Sequence, residues 1–347
     1  MALIYLDPFA TYGAIADVTK GGWTQSAEYS TTGGRFGLGA VRFPTGSTKY
    51  LQKVFTAASG SVIVSFDAKV SAGSAGYMLE FYNNSGADKC LTLANTAADA
   101  LRILNANDAT AVTSDANVLT RGLWHRVEVK AQAGSGSGFV DVWVDGVRFI
   151  NASGIDFDGG SGTGCDRIRF VNENGAFEWY VGSTVIGDTS GSAPLNDVLG
   201  DKRLYVLMPT SDAAVGWTPQ GGGASYVEVD DAISGASDEG TTYVTQTAAA
   251  DAIDRYGHED LPAGVTGIVC VAVDIEAAKT AAGDLPGSAS MKVRIEHSGS
   301  TTDSSALTAL TTNYERRQAI FPNVPGGTGW TKAQVDAATS GPFMDVP

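Results

Sequence analysis

The sequence predicts an all-β chain built as two successive sandwich-like domains. Three observations predict it. Large apolar and polar residues alternate through Trp124–Lys130 and again through Phe139–Asp145, the period of a strand with one face buried. Short strand-like segments then recur through the first half of the chain, separated by Gly, Asp, Asn and Ser clusters of the kind that turn a backbone. The composition agrees: 347 residues with 43% hydrophobic, only 18% charged and 43 glycines suit tight turns and short strands. Val, Ile, Leu and Phe at strand spacing exclude a disordered chain.

Taken in order, Tyr77–Tyr82, Leu91–Leu93 and Leu101–Leu104 read as a meander. Trp124–Lys130 places Trp124, Arg126, Glu128 and Lys130 on one parity and His125, Val127 and Val129 on the other. The glycine-rich stretch from Gly134 to Gly138 turns the chain into Phe139–Asp145, where Val140, Val142 and Val144 share a parity. Asp145-Gly146 is a second turn signal and leads into Val147–Ile150. Asp166–Phe170 and Glu178–Gly182 complete a first domain over 1–186. Residues 187–200, rich in Gly, Ser, Asp and Pro, read as a linker, with a second domain over 201–347. Its clearest strands are Val265–Ile275, Ser290–Glu296 and Arg316–Phe321. Ala248–Arg255 reads as a short helix or a strand edge, and Thr331–Ala338 as a short helix capped by Thr331. No internal repeat is present.

The Trp-His-Arg-Val strand from Trp124 and the Val-Trp-Val-Asp-Gly hairpin ending at Gly146 resemble the late strands of the laminin-G/concanavalin-A-like jelly-roll superfamily. Arg35–Phe43 resembles an early strand of that fold, Ser61–Val70 the next inner strand, and Glu178–Gly182 the closing strand that returns beside the N-terminal one. In the second half, Asp201–Asp212, Gly216–Pro219, Tyr226–Asp231, Thr241–Val244 and Gly329–Ala337 resemble the C-terminal domain of tailed-bacteriophage virion proteins that carry a laminin-G-like domain in front. The closing segment departs from that pattern, with Thr339-Ser-Gly-Pro in place of a bulky apolar residue. The resemblance implies an N-terminal concanavalin-A-like jelly-roll sandwich followed by a second β-sandwich-like domain. It implies a non-enzymatic structural protein of the virion exterior, assembled in the host cytoplasm. The roles it offers are head decoration, head fibre or tail-associated adhesin, with other virion proteins as partners and a homo-oligomer, trimeric for preference. Because the jelly roll hosts many functions, the alternative is a lectin-like module that binds host surface glycans, with calcium as an aid.

A net charge of −15 repels nucleic acid and an anionic membrane surface. The N-terminus lacks the basic and apolar regions of a secretion signal, and the longest apolar run, Gly267–Val273, is too short to span a bilayer. Cys90, Cys165 and Cys270 are isolated and lack metal spacing, as expected of thiols kept reduced.

Chemistry is sparse. The Glu-x-Asp-x-x-Glu string of jelly-roll glycosidases would put its carboxylates on one sheet face. The chain only begins one, at Glu228-Val-Asp230, which reads better as a strand end entering a turn. His125, His258 and His297 lack a second ligand at metal spacing, and no Gly-x-Ser-x-Gly elbow is present. The best cation candidate is the loop carrying Asp156, Asp158 and Asp166, where glycines could turn oxygens inward onto calcium. Asp230-Asp231 and Asp238-Glu239 form a weaker one. A sugar site needs exposed aromatics beside polar groups, which nominates Trp179, Trp217, Tyr82 and Asn84, with Trp23 and Asn83 behind them. Trp124 and Trp143 are expected in the core, since large rings bury much area.

Overall fold

The computed structural model describes residues 3–30, 33–56, 60–83, 88–134, 136–157, 164–173, 177–231, 238, 240–246, 251–279, 290–307 and 310–345. The chain divides into two compact units, Met1–Leu204 and Tyr205–Pro347. Among the described residues no helix is long and apolar enough to cross a membrane.

The first unit opens with β1 (Leu3–Asp7), β2 (Trp23–Gln25), β3 (Glu28–Ser30), β4 (Ala40–Phe43) and β5 (Lys49–Val54). Next come β6 (Val62–Gly73), β7 (Gly76–Asn83), β8 (Asp88–Asn95), β9 (Leu101–Leu104) and β10 (Thr110–Thr113). It closes with β11 (His125–Gln132), β12 (Gly138–Val144), β13 (Val147–Ile155), β14 (Arg167–Asn172) and β15 (Phe177–Asp188). These build an antiparallel sandwich. The first sheet runs β13-β12-β11-β6-β15-β4-β3 with β1 also on β15, and the second runs β10-β9-β8-β7-β14-β5-β2. The expected meander is β11-β12-β13, and its second turn has both Asp145 (φ 49°) and Gly146 (φ 80°) in the left-handed region. That is the two-residue geometry that matches strand twist. The expected closing strand is β15, which pairs β1 from Leu3↔Gly187 to Asp7↔Thr184.

The core lies between the sheets. Val64, Phe66, Val127, Val129, Val140 and Val142 face Leu79, Phe81, Leu91, Leu93, Ile168 and Phe170, and Phe66 meets Phe170 edge-on at 5.0 Å. Asp7, 1% exposed, ties the N-terminal segment to this core. Its carboxylate accepts hydrogen bonds from the Phe9 backbone N–H and from the side chains of Tyr5, Tyr12 and Trp23. Four donors satisfy a charge that burial would otherwise make costly. Cys90 and Cys165 line a small void between the sheets beside Phe81, Leu91 and Phe157. All three cysteines are free thiols, and burial pushes Cys165 and Cys270 up to about 12.

Several expectations need correction. Arg35–Phe43 is strand only over β4, because Arg35–Gly37 forms a 3-10 turn in which Phe36 takes φ 62°. Trp124 and Trp143 do not enter the core. They share a parity with Arg126 and Glu128, which points to the outer face of the first sheet, opposite Val127, Val129, Val142 and Val144. Residues 187–200 are not a free linker. Strand β15 continues through Asp188, and the chain then folds back over the outer face of the first sheet. There Glu128 accepts from Ser65 Oγ (2.8 Å), from the Leu199 N–H (2.8 Å) and from the Gly200 N–H (3.0 Å). Lys130 binds Asp197 at 2.9 Å, and Arg35 binds Asp201 at 2.7 Å. Under this strap Arg126, 1% exposed, donates to the Ser183 carbonyl at 2.7 Å and lies 3.6 Å from Asp67.

The second unit contains β16 (Pro209–Ala214), β17 (Thr218–Pro219), β18 (Val244–Thr245), β19 (Ala252–Ile253) and β20 (Arg255–His258). Then follow β21 (Val271–Ala277), β22 (Ser290–His297), β23 (Ser300–Asp303), β24 (Glu315–Phe321), α1 (Lys332–Ala337) and β25 (Thr339–Asp345). Its main sheet runs β16-β20-β25-β22-β23 with β19 also on β25. The ribbon β21–β24 and helix α1 pack on it through Val293, Ile295, Val273, Phe321, Trp330 and Val335. Thr331 caps α1 in a box with Gln334. Thr339–Pro342, the departure from the resembled pattern, forms the start of β25, a central strand of the sheet. Gly341 fits there because a Cβ would stand 2.1 Å from the Asp254 carbonyl oxygen. Tyr226–Glu228 is a 3-10 turn rather than a strand end, with the Glu228 carboxylate folded onto the Gly221 and Gly223 N–H groups at 2.6 and 2.7 Å. Of Ala248–Arg255, residues 248–250 lie outside the described residues, and Ala252, Ile253 and Arg255 are in strands.

Two outcomes follow. Trp179→Ala removes a ring stacked on Phe43 at 4.6 Å and costs about 3–5 kcal/mol of stability, measurable by chemical denaturation. Glu128→Ala strands the strap amides and costs about 3 kcal/mol. Hydrogen exchange then rises at Leu199 and Gly200 well before it rises in β12.

Candidate functional site on the outer face of the second sheet

Strands β5, β14, β7, β8 and β9 lie side by side in the second sheet. Leu51, Ile168, Phe170, Leu79, Phe81, Leu93 and Ile103 take the inward parity, so alternation turns Tyr50, Gln52, Arg167, Arg169, Glu80, Tyr82, Thr92 and Arg102 outward. Register aligns them in rows. Gln52 opposes Arg169, Arg169 opposes Glu80, and Glu80 opposes Thr92, while Arg167 opposes Tyr82. The short side chains form a floor: Glu80 is 1% exposed and Thr92 and Val171 are fully buried. Longer ones stand over it half-buried, namely Tyr50, Tyr77, Tyr82, Lys89, Arg102, Arg167 and Arg169.

The tyrosines and cations organise one another. The Arg169 guanidinium lies 5.2 Å from the Tyr50 ring centre, Arg167 lies 5.5 Å from that of Tyr82, and Lys89 lies 5.6 Å from that of Tyr77. The Tyr82 hydroxyl donates to Glu80 at 2.8 Å and accepts from Arg169 at 3.4 Å. Arg167 donates to Gln52 at 3.1 Å, and Lys89 pairs with Asp108 and lies 4.0 Å from Glu80. Burial raises the Glu80 carboxyl above its ordinary range, against the opposing pull of Tyr82, Arg169 and Lys89, with Glu173 adding to the rise. Tyr82 is raised as well, first by burial and then by the Glu80 charge. Among the described residues of this face, Thr92 Oγ1, Arg169 Nε and Arg102 Nε are buried atoms without a hydrogen-bond partner. Half-buried rings and half-buried planar cations on one face can stack a sugar ring and hydrogen-bond its hydroxyls.

Of the residues nominated for a sugar site, only Tyr82 stands on this face. Asn84 lies outside the described residues. Trp179 is a correction: it is fully buried between Phe43 and Phe177, its indole N–H donating to the Val171 carbonyl at 3.1 Å. Trp23 is likewise buried, on Asp7. Trp217 belongs to the second unit, half-buried, with its indole N–H on the Ala252 carbonyl at 3.3 Å. The calcium loop is described only in part. Asp158 lies outside the described residues, and Asp156 is exposed where Asp166 is half-buried. Among the described residues no three His, Cys, Asp or Glu side chains gather around a metal position. In the weaker loop Asp238 caps the Thr242 N–H and hydroxyl, and Glu239 is not among the described residues. His125 bridges Asp145 (2.7 Å) and the Thr120 N–H (3.0 Å), pinning a strand start. Ser340 Oγ lies 3.3 Å from His258 Nε2. The nearby Asp254 is committed to the Gly216 and Trp217 N–H groups and the Tyr256 hydroxyl, so it does not orient that imidazole into a triad.

Reasoning from sequence missed Arg102, Arg167 and Arg169, although Arg167 and Arg169 alternate with Ile168 and Phe170 and so declare their face.

Raised folded-state carboxyls store stability on the acid side. Glu80 contributes stability present below the unfolded glutamate value of about 4.3 and lost as pH rises through its higher folded value. Glu80→Gln is therefore expected to flatten the decline of the denaturation midpoint above that pH relative to the parent. An unchanged pH profile would remove the burial of charge at Glu80 from the account.

No protein-family model matches the sequence, and no curated protein matches it. Solved structures similar to it cover about half of the chain. An endo-β-1,4-glucuronan lyase from the fungus Trichoderma reesei is 13% identical, over 48% of this chain and 87% of its own, with a TM-score of 0.34. An alginate lyase is 11% identical, over 54% and 96%, with a TM-score of 0.38. A carbohydrate-binding module from Bacillus subtilis is 11% identical, over 48% and 96%, with a TM-score of 0.33.

Proposed function

We propose that this protein is a non-enzymatic carbohydrate-binding module that holds a glycan on the outer face of the second sheet. The observation that carries the reading is the row of half-buried tyrosines, Tyr50, Tyr77 and Tyr82, each with a cation against its ring. Rings fixed in this way offer flat apolar area at little entropic cost, and the neighbouring amide, guanidinium and hydroxyl groups supply directional bonds. Binding needs neither a metal nor a catalytic pair in this arrangement.

From the sequence resemblance alone we further propose its setting: the exterior of a tailed-phage particle, where the glycan would belong to the host surface and other virion proteins would hold the chain. Antibody labelling of purified particles in electron micrographs checks this, and unlabelled particles would reject it.

The binding reading is tested on the full chain with a glycan array followed by titration of the best ligand. Tyr50→Ala and Tyr77→Ala are each expected to weaken binding by about tenfold while the far-ultraviolet spectrum stays unchanged. Trp217→Ala in the second unit is expected to leave affinity unaltered. Binding that survives both tyrosine variants, or that disappears with Trp217, would move the site elsewhere.

A further inference from the structure

We infer that the glycan is an anionic polysaccharide whose acidic groups are taken by Arg102 and Arg169. The inference rests on the binding reading above and names its ligand class.

Arg102 carries the argument. It projects from β9 onto the outer face, half-buried. Among the described residues it has no ion-pair partner, and its Nε is buried without an acceptor. Lys89 is shared by Asp108 and Glu80, and Arg169 lies 3.6 Å from Glu80, too far for a hydrogen bond. A guanidinium partly removed from water without an acceptor is costly, so its retention points to a ligand oxygen. Arg169 repeats the feature, since its Nε is also buried and unsatisfied. A planar fork laid along a tyrosine ring presents its edge to a carboxylate or sulfate, the geometry that makes such pairs bidentate.

The arrangement also argues for a polymer of sparse charge. From Tyr50 on β5 to Arg102 on β9 the face crosses four strand spacings, about 19 Å at ~4.8 Å each. That is room for several sugar rings. Glu80, Asp108 and Glu173 stand among the cations, and the whole chain carries −15. Nucleic acid, with one phosphate charge per about 1.7 Å of duplex, meets repulsion over such a surface. A glycan with an acidic group on some of its rings can seat those groups on the arginines and lay neutral rings along the tyrosines.

The test titrates the full chain with four probes: polygalacturonate, dextran sulfate, unmodified dextran and single-stranded DNA, each at low and moderate salt. The expected result is binding to one or both acidic glycans, weakened by salt, with no binding to dextran or DNA. Arg102→Gln and Arg169→Gln should each weaken it by about tenfold, with thermal midpoints near that of the parent. Preference between the first two probes tells a carboxylate from a sulfate ligand. Binding of dextran equal to that of the acidic probes, unaltered in Arg102→Gln, would overturn the anionic class and leave the glycan reading standing. Binding of DNA alone, or of acidic glycans with no loss in either arginine variant, would overturn the inference. If no glycan binds here or on the array, both readings fall together.

Discussion

A guanidinium buried in a sheet must be surrounded by oxygen, and Arg126 sets that requirement for the first unit. It is 1% exposed in the middle of the first sheet's outer face, where burial lowers its affinity for a proton and Asp67 and Glu128 offset only part of that. The oxygens come from different strands: Asp67 from β6, the Ser183 carbonyl from β15, and Glu128 from β11 itself. Their arrival fixes the register of three neighbouring strands. Glu128 in turn needs donors, and the backbone of Leu199 and Gly200 supplies them. One buried cation thus accounts for the strap, and the strap accounts for β6, β11 and β15 being buried on both faces.

The two sheets differ in what lies over their outward charges. On the first, Arg35, Asp67, Arg126, Glu128 and Asp201 pair within the chain under the strap, with Arg126 Nε alone of that group left without a partner. On the second, Glu80 is satisfied by Tyr82, but Arg102, Arg169 and Thr92 keep buried atoms without a partner. Buried polar groups in a folded protein are normally paired. The first face is covered by its own backbone at Leu199 and Gly200, whereas on the second such atoms stand beside half-buried tyrosine rings, and this difference directs the functional reading to the second sheet.

The period of two was legible wherever one strand face meets the core. It gave β7, β8, β9, β11, β12, β14 and β15 and the Asp145-Gly146 turn. The same rule holds at Ser298-Gly299, whose left-handed residues join β22 to β23, although that pair was not singled out. What failed was the inference from side-chain size. Trp124 and Trp143 were assigned to the core for their bulk, yet their parity with Arg126 and Asp141 already placed them outside. Trp179, offered as a sugar platform, shares its parity with Val181 and fills the core. The strap was not legible because Leu199 and Gly200 act through backbone N–H groups, which carry no signature in the side-chain pattern. Most of the candidate site was not legible either. Arg102, Glu80 and Arg169 are far apart in sequence and become neighbours only through the order β9-β8-β7-β14, which alternation along single strands does not reveal.

Strand β1 completes the first sheet only by pairing with β15, from Leu3↔Gly187 to Asp7↔Thr184, and the strap that covers Arg126 ends near Asp201. During synthesis the opening residues therefore wait for a partner nearly two hundred positions downstream. Loop closure of that length is entropically unfavourable and slow compared with hairpin formation. The meander of β11, β12 and β13 can form early, but the sandwich cannot close until almost all of the first unit has emerged from the ribosome. For most of that time an apolar sheet face and the edge of β6 awaiting β15 stand open to other chains, which makes the nascent first unit the stage at which this protein most needs protection from aggregation.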